Sequence, residues 1–76
     1  MIKELECVVL KKDIPAYGLK AGDVGTVVLC HKKGGYEVEF MTYGGRTVAV
    51  ATLEARELRP VSPKEISHVR PLQGVK

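Results

Sequence analysis

Short runs of β-branched and other apolar residues recur along the chain, each cut off by glycine, proline or a pair of charges. That is the pattern of short strands joined by turns. The first run is Glu6-Cys7-Val8-Val9-Leu10, bounded by Glu4 and by Lys11-Lys12. A second covers Gly25-Thr26-Val27-Val28-Leu29-Cys30-His31, and a third, Tyr36-Glu37-Val38-Glu39-Phe40, alternates strictly. Successive side chains of a strand take opposite faces, so Tyr36, Val38 and Phe40 are expected inside and Glu37 and Glu39 in water. A fourth run, Thr47-Val48-Ala49-Val50-Ala51, puts Val48 and Val50 on one face. Leu53 to Leu58 is too short for a standard helix and reads as a 3₁₀ turn before a last strand at 58–61.

The breaks are as informative as the runs. Between Asp13 and Asp23, Pro15, Gly18 and Gly22 argue against regular structure, while Ile14 and Leu19 are apolar enough to pin a folded-back loop to the core. Gly34-Gly35 predicts a two-residue hairpin turn, because paired glycines supply the positive φ that such turns need. Thr42 to Arg46 is the next turn. Five short strands, a long first loop and a helical turn before the last strand predict an all-β fold, a small five-stranded SH3-like barrel over residues 1–61. An open five-stranded meander fits the same pattern.

Residues 62–76 differ in character and form a C-terminal tail. Ser62-Pro63-Lys64-Glu65 has the form of a helix start, but only Ile66 and Val69 follow before Pro71. The expectation is a short helix of about two turns that needs docking to persist, in a tail only partly ordered. Pairing in cis with an open sheet edge is another use for it.

At 76 residues the chain has room for one modest core. Its net charge of +3 becomes less suggestive once divided. Residues 1–60 carry nine Lys and Arg against eight Asp and Glu, whereas the tail adds Lys64, Arg70 and Lys76 against Glu65. The folded part is near neutral, with only the short basic pairs Lys11-Lys12 and Lys32-Lys33. Nucleic-acid domains gather charge on one face, so this is weak support for such a partner. No apolar stretch is long enough for a signal peptide or membrane span, and two cysteines without a secretory signal suit a reducing compartment. The expectation is a cytoplasmic protein with no membrane partner, monomeric or weakly self-associating.

Candidate chemistry is sparse. Cys30 and His31 are strand neighbours that point to opposite faces, and His68 stands alone in the tail, so no metal site is expected. Cys7 and Cys30 read as free thiols, with a disulfide the alternative if the first two strands bring them into register. No nucleophile has a base and an orienting group beside it, and Gly22-x-x-Gly25 opens a strand, not a helix. The expectation is a non-enzyme without cofactors. What remains is a set of loop residues suited to binding another protein: Tyr17, Tyr43 and Arg46, with Lys32 and Lys33. Tyrosine and arginine offer large contact area with a polar end.

The stretch Gly18-Leu19-Lys20-Ala21-Gly22-Asp23-Val24-Gly25-Thr26-Val27-Val28 resembles a recurring segment in a family of short bacterial proteins known as a domain of unknown function. Tyr36-Glu37-Val38-Glu39-Phe40, Thr47-Val48-Ala49-Val50-Ala51-Thr52-Leu53 and Leu58-Arg59-Pro60 carry the resemblance over residues 2–61, and the tail extends past it. Some members lie beside toxin-like genes, so the resemblance implies an antitoxin- or immunity-like accessory role. A looser likeness is to the ribosomal and transcription-factor motif, here Leu19-x-x-Gly22-x-x-Gly25-x-Val27, which implies nucleic-acid binding as the alternative.

Overall fold

The computed structural model describes residues 2–72. Five strands, β1 (Cys7–Leu10), β2 (Val24–Cys30), β3 (Gly35–Met41), β4 (Thr47–Glu54) and β5 (Leu58–Pro60), form one antiparallel sheet in the order β4-β3-β2-β1-β5. Two 3₁₀ turns, Pro15–Tyr17 and Ala55–Glu57, complete the regular structure. The fold is all-β, as the pattern predicts. The sheet is not closed into a barrel: β4 and β5 are its two edges. β5 is three residues long and ends in Pro60, which has no N–H, so it has little with which to form a second ladder.

Both hairpins turn through three residues ending in a left-handed glycine, so the two-residue turn expected at Gly34-Gly35 is not formed, while the turn from Thr42 to Arg46 lies where the sequence places it. His31 N donates to Gly35 O (2.8 Å) and Gly34 N to His31 O (3.1 Å), with Gly34 at φ 91°. Thr42 N donates to Arg46 O (2.8 Å) and Gly45 N to Thr42 O (3.0 Å), with Gly45 at φ 89°. In each pair only one glycine supplies the positive φ.

Val8, Leu10, Leu19, Val27, Val38, Phe40, Ala51, Leu53 and Leu58 form one buried cluster, with Tyr36, Cys30 and Ile14 packed against it. Two bulges decide which residues reach it. Val27 pairs with Val38 and Leu29 with Glu37, so Val28 is an extra residue in β2. The parity flips there: Val27 is buried, Val28 and Leu29 are exposed, and Cys30 turns back toward the core. In β4, Ala49 pairs with Phe40 and Thr47 with Met41, leaving Val48 extra. Val48 and Ala49 therefore both lean on the core, and Val50 faces solvent, against the expectation that Val48 and Val50 share a face.

Glu37 and Glu39 do point outward, yet they are not simply solvated. Glu37 lies 2.7 Å from His31 Nε2 and accepts from Thr52 Oγ1 (2.8 Å), and Glu39 accepts from Thr47 Oγ1 (2.7 Å). The bonds with His31 and Thr52 hold the Glu37 carboxyl below its ordinary range. Cys7 and Cys30 are free thiols.

Gly25 is the tightest point of the core. A Cβ there would fall 2.6 Å from Val38 Cγ1, 2.9 Å from Phe40 Cε2 and 3.0 Å from Glu39 O. Added bulk in a filled core costs about 1–3 kcal/mol. Gly25→Ala should therefore lower the thermal midpoint by roughly 5–15 °C in a domain of this size. Gly44→Ala, where the new Cβ meets only Thr42 Oγ1 at 3.7 Å, should shift it little; equal losses in calorimetry would refute this packing account.

Candidate functional site

The loop between β1 and β2 is built to hold a tyrosine at its tip. Ile14 and Leu19 bridge it, with Ile14 N donating to Leu19 O (2.9 Å) and Leu19 N to Ile14 O (3.1 Å). Pro15 starts the 3₁₀ turn and Gly18, at φ 70°, ends it. Leu19 is buried and Tyr17 stands half exposed, so the loop is pinned as the sequence suggests. The next turn is fixed by carboxylates: Ala21 N donates to Asp13 Oδ1 (2.9 Å) and Lys20 N to Asp23 Oδ2 (2.9 Å). Leu10 N donates to Asp23 O (2.9 Å), which ties this turn to β1.

A groove of about 480 Å³ runs between this loop and the start of β4. Tyr17 and Lys20 lie on the loop side, Arg46 and Val48 on the other, and Arg70 and Leu72 of the tail complete the lining. The structure thus brings Tyr17 and Arg46 together. Tyr43 projects from the neighbouring turn, almost fully exposed and outside the lining. Lys32 and Lys33 sit in the β2–β3 turn, at the far end of a seven-residue strand from Arg46. At about 3.3 Å per residue that is roughly 23 Å away, so the five residues do not form one patch.

The tail does not form the expected helix. Ser62 N donates to Glu65 Oε1 (2.7 Å) and Lys64 N to Ser62 Oγ (3.2 Å), but only a single turn results. Ile66 and Val69 are exposed, so no apolar face docks to sustain a helix. Nor does the tail add a strand to the sheet among the described residues.

Two arginine–carboxylate pairs hold it instead. Arg59 meets Glu65 with two parallel bonds, Nη1 to Oε1 (2.8 Å) and Nη2 to Oε2 (2.7 Å). Arg70 Nε donates to Asp23 Oδ1 (2.8 Å), and its Nη2 donates to Asp23 Oδ2 (2.6 Å) and to Gly18 O (3.0 Å). Such forks are the strongest common charged hydrogen bonds. Burial works to raise the Asp23 pKa, but the bonds from Arg70 and the Lys20 amide, with both positive charges, outweigh it and hold the carboxyl below its ordinary value. Glu65 is pulled down to about 2, chiefly by Arg59 and then by the Ser62 amide.

Asp23, Gly18 and Arg70 escape sequence reasoning. Asp23 reads as an ordinary turn residue and Arg70 as a stray charge in a tail; the two are 47 positions apart. The short basic pair Lys11-Lys12 is partly spent: Lys12 Nζ meets Glu57 Oε2 at 2.7 Å, and Glu57 also caps the second 3₁₀ turn through Glu54 N (2.8 Å). Among the described residues no group of three or more His, Cys, Asp or Glu could hold a metal ion, and no helix is long and apolar enough to cross a membrane.

The profile of a family described as Domain of unknown function (DUF4926) matches residues 4–60. The chain belongs to that family. The match ends where β5 ends, so every sheet strand and the loop carrying Tyr17, Gly18 and Asp23 lie inside it, and Glu65 and Arg70 lie outside. The chain matches no curated protein and no solved structure.

The anchoring pairs predict a tail that acid releases. Glu65 and Asp23 both have folded pKa values below their ordinary ones. Their contribution is therefore present in full above those ordinary values and fades as pH falls through the folded values. For Glu65 the window runs from 4.5 down to about 2. Backbone NMR signals of residues 62–72 should move to random-coil positions across that window, and Arg59→Ala should release residues 62–66 at neutral pH. Tail signals that hold their positions at pH 2 would show that ion pairs are not what fastens it.

Proposed function

We propose that this family member is a non-catalytic protein-binding module whose contact surface is the groove between the Tyr17 loop and the start of β4. The observation that carries this reading is the placing of half-exposed Tyr17 and Arg46 on opposite sides of one groove. Tyrosine and arginine dominate binding energy at protein interfaces. Tyr43, on the turn beside Arg46, extends the surface outward. The partner is a larger protein encoded beside it, which the chain serves as a small accessory subunit of the antitoxin or immunity kind.

The charge layout favours protein over nucleic acid. A phosphate backbone calls for a continuous positive face. Here Asp13 shares the groove with Lys20 and Arg46, Arg70 is matched by Asp23, and Lys32 and Lys33 stand at the other end of β3. Neither histidine lines the groove, and His31 is engaged by Glu37, which supports a non-catalytic role.

Affinity capture of the tagged protein from its native lysate, with and without nuclease, tests this. The expected result is a stoichiometric protein partner that survives nuclease and binds Tyr17→Ala and Arg46→Ala at least about tenfold more weakly, the loss typical of interface anchors. The thermal midpoint of both variants should stay close to that of the parent. Partners that vanish with nuclease would put nucleic acid in the partner's place, and a large loss of thermal stability in Tyr17→Ala would make that residue structural.

A further inference from the structure

Where Arg70 and Gly18 line the groove, Asp23 behind them completes an acceptor for a guanidinium group, and the chain supplies the arginine itself. The Asp23 carboxylate is held in place by the Lys20 amide, and the Gly18 carbonyl is turned by the left-handed backbone that ends the 3₁₀ turn. Together they take three bonds from Arg70, of 2.8, 2.6 and 3.0 Å; its remaining nitrogen, Nη1, reaches only its own neighbour, Pro71 O, at 3.5 Å. Asp13 lies close enough to add its negative charge to the same guanidinium. Two residues further on, Leu72 lies along the groove that Tyr17 and Val48 line. The chain thus shows what fits here: an arginine, an extended link, then an apolar side chain.

Two further observations argue that this occupant can leave. All acceptor residues lie within the family-matched segment 4–60, whereas Arg70 and Leu72 belong to the extension beyond it. Between the clasp at Glu65 and the clasp at Arg70, residues 66–69 make no hydrogen bond among the described residues, and Ile66 is 93% exposed. No apolar packing holds that stretch down, so withdrawing Arg70 costs one partly exposed ion pair, the bond to Gly18 O and the place of Leu72 in the groove, but no part of the core.

Resting on the protein-binding reading above, we propose that Asp23 and Gly18 form a guanidinium seat for the partner protein. An extended partner segment, bearing an arginine followed two residues later by an apolar side chain, takes the positions of Arg70 and Leu72. The chain's own tail covers the seat until the partner displaces it. A tethered segment competes at high effective concentration, so the covered seat binds an outside segment weakly and the emptied seat binds it better.

The test is an NMR titration of the labelled full chain, wild type and Arg70→Ala, with a peptide spanning residues 66–72 of this sequence. The same peptide with alanine or lysine at its arginine is the control. The Arg70→Ala protein should bind the arginine peptide at least about tenfold more tightly than wild type does, as removal of a tethered competitor requires. The shifted amides should include Gly18, Lys20 and Asp23, and both control peptides should bind poorly, since lysine cannot reproduce the fork. Strand amides that keep their positions in Arg70→Ala show that the fold is intact, and Arg70→Lys provides a second, milder emptying. Equal binding of all three peptides, or none by either variant, would overturn the seat. Equal affinity of wild type and Arg70→Ala would overturn the covering role. In either case a nuclease-resistant partner that still depends on Tyr17 would leave the binding module standing, so the two failures can be told apart.

Discussion

Among the described residues no helical layer covers the sheet, so the inner face of β4-β3-β2-β1-β5 leaves water by curling over itself and over the loop that carries Leu19. Everything else follows from that constraint. Side chains from the two wings, Leu53 on β4 and Leu58 on β5, have to meet those of the centre, Val27 and Val38, in one cluster. The centre can be approached so closely only because Gly25 has no side chain where Val38 and Phe40 press against β2. The bulges at Val28 and Val48 belong to the same geometry, since an extra residue bends a strand and strengthens its twist.

The curling also positions the candidate site. The long loop is anchored inward through Leu19, which leaves Tyr17 and Gly18 at its outer side, opposite the first residues of β4. Two kinds of cohesion then coexist in a small chain. The sheet is held by apolar burial, which responds little to salt or mild acid. The tail is held by two arginine–carboxylate forks at the surface, whose strength depends on pH and ionic screening. A groove whose tail lining is fastened in this way can be opened without disturbing the sheet beneath it.

Much of the fold was legible because strand patterning is a local property. Alternation in Tyr36–Phe40 places Val38 and Phe40 inside, and short length places a 3₁₀ turn ahead of β5; both hold. The errors have local physical causes too. Strict alternation puts Val48 and Val50 on one face, but an inserted residue breaks it, and the bulge depends on β3 as much as on β4. The Gly34-Gly35 pair announces a turn, but hydrogen bonding to the partner strand decides that Gly34 alone is left-handed. Ser62 to Glu65 has the side chains of a helix start, yet helix growth needs a docked apolar face, and Ile66 finds none.

The class of the fold, the number of strands, the inward turn of Leu19 and the exposure of Tyr17 and Arg46 are local matters. These depend on side-chain period, turn chemistry and polarity, all written within a few neighbouring residues. Whether the sheet closed, which valines faced the core, and that Arg70 would meet Asp23 and Gly18 were decided only by the tertiary structure. An ion pair between residues 47 positions apart leaves no periodic trace in a single chain, because its partners become neighbours only after the strands between them have been laid side by side.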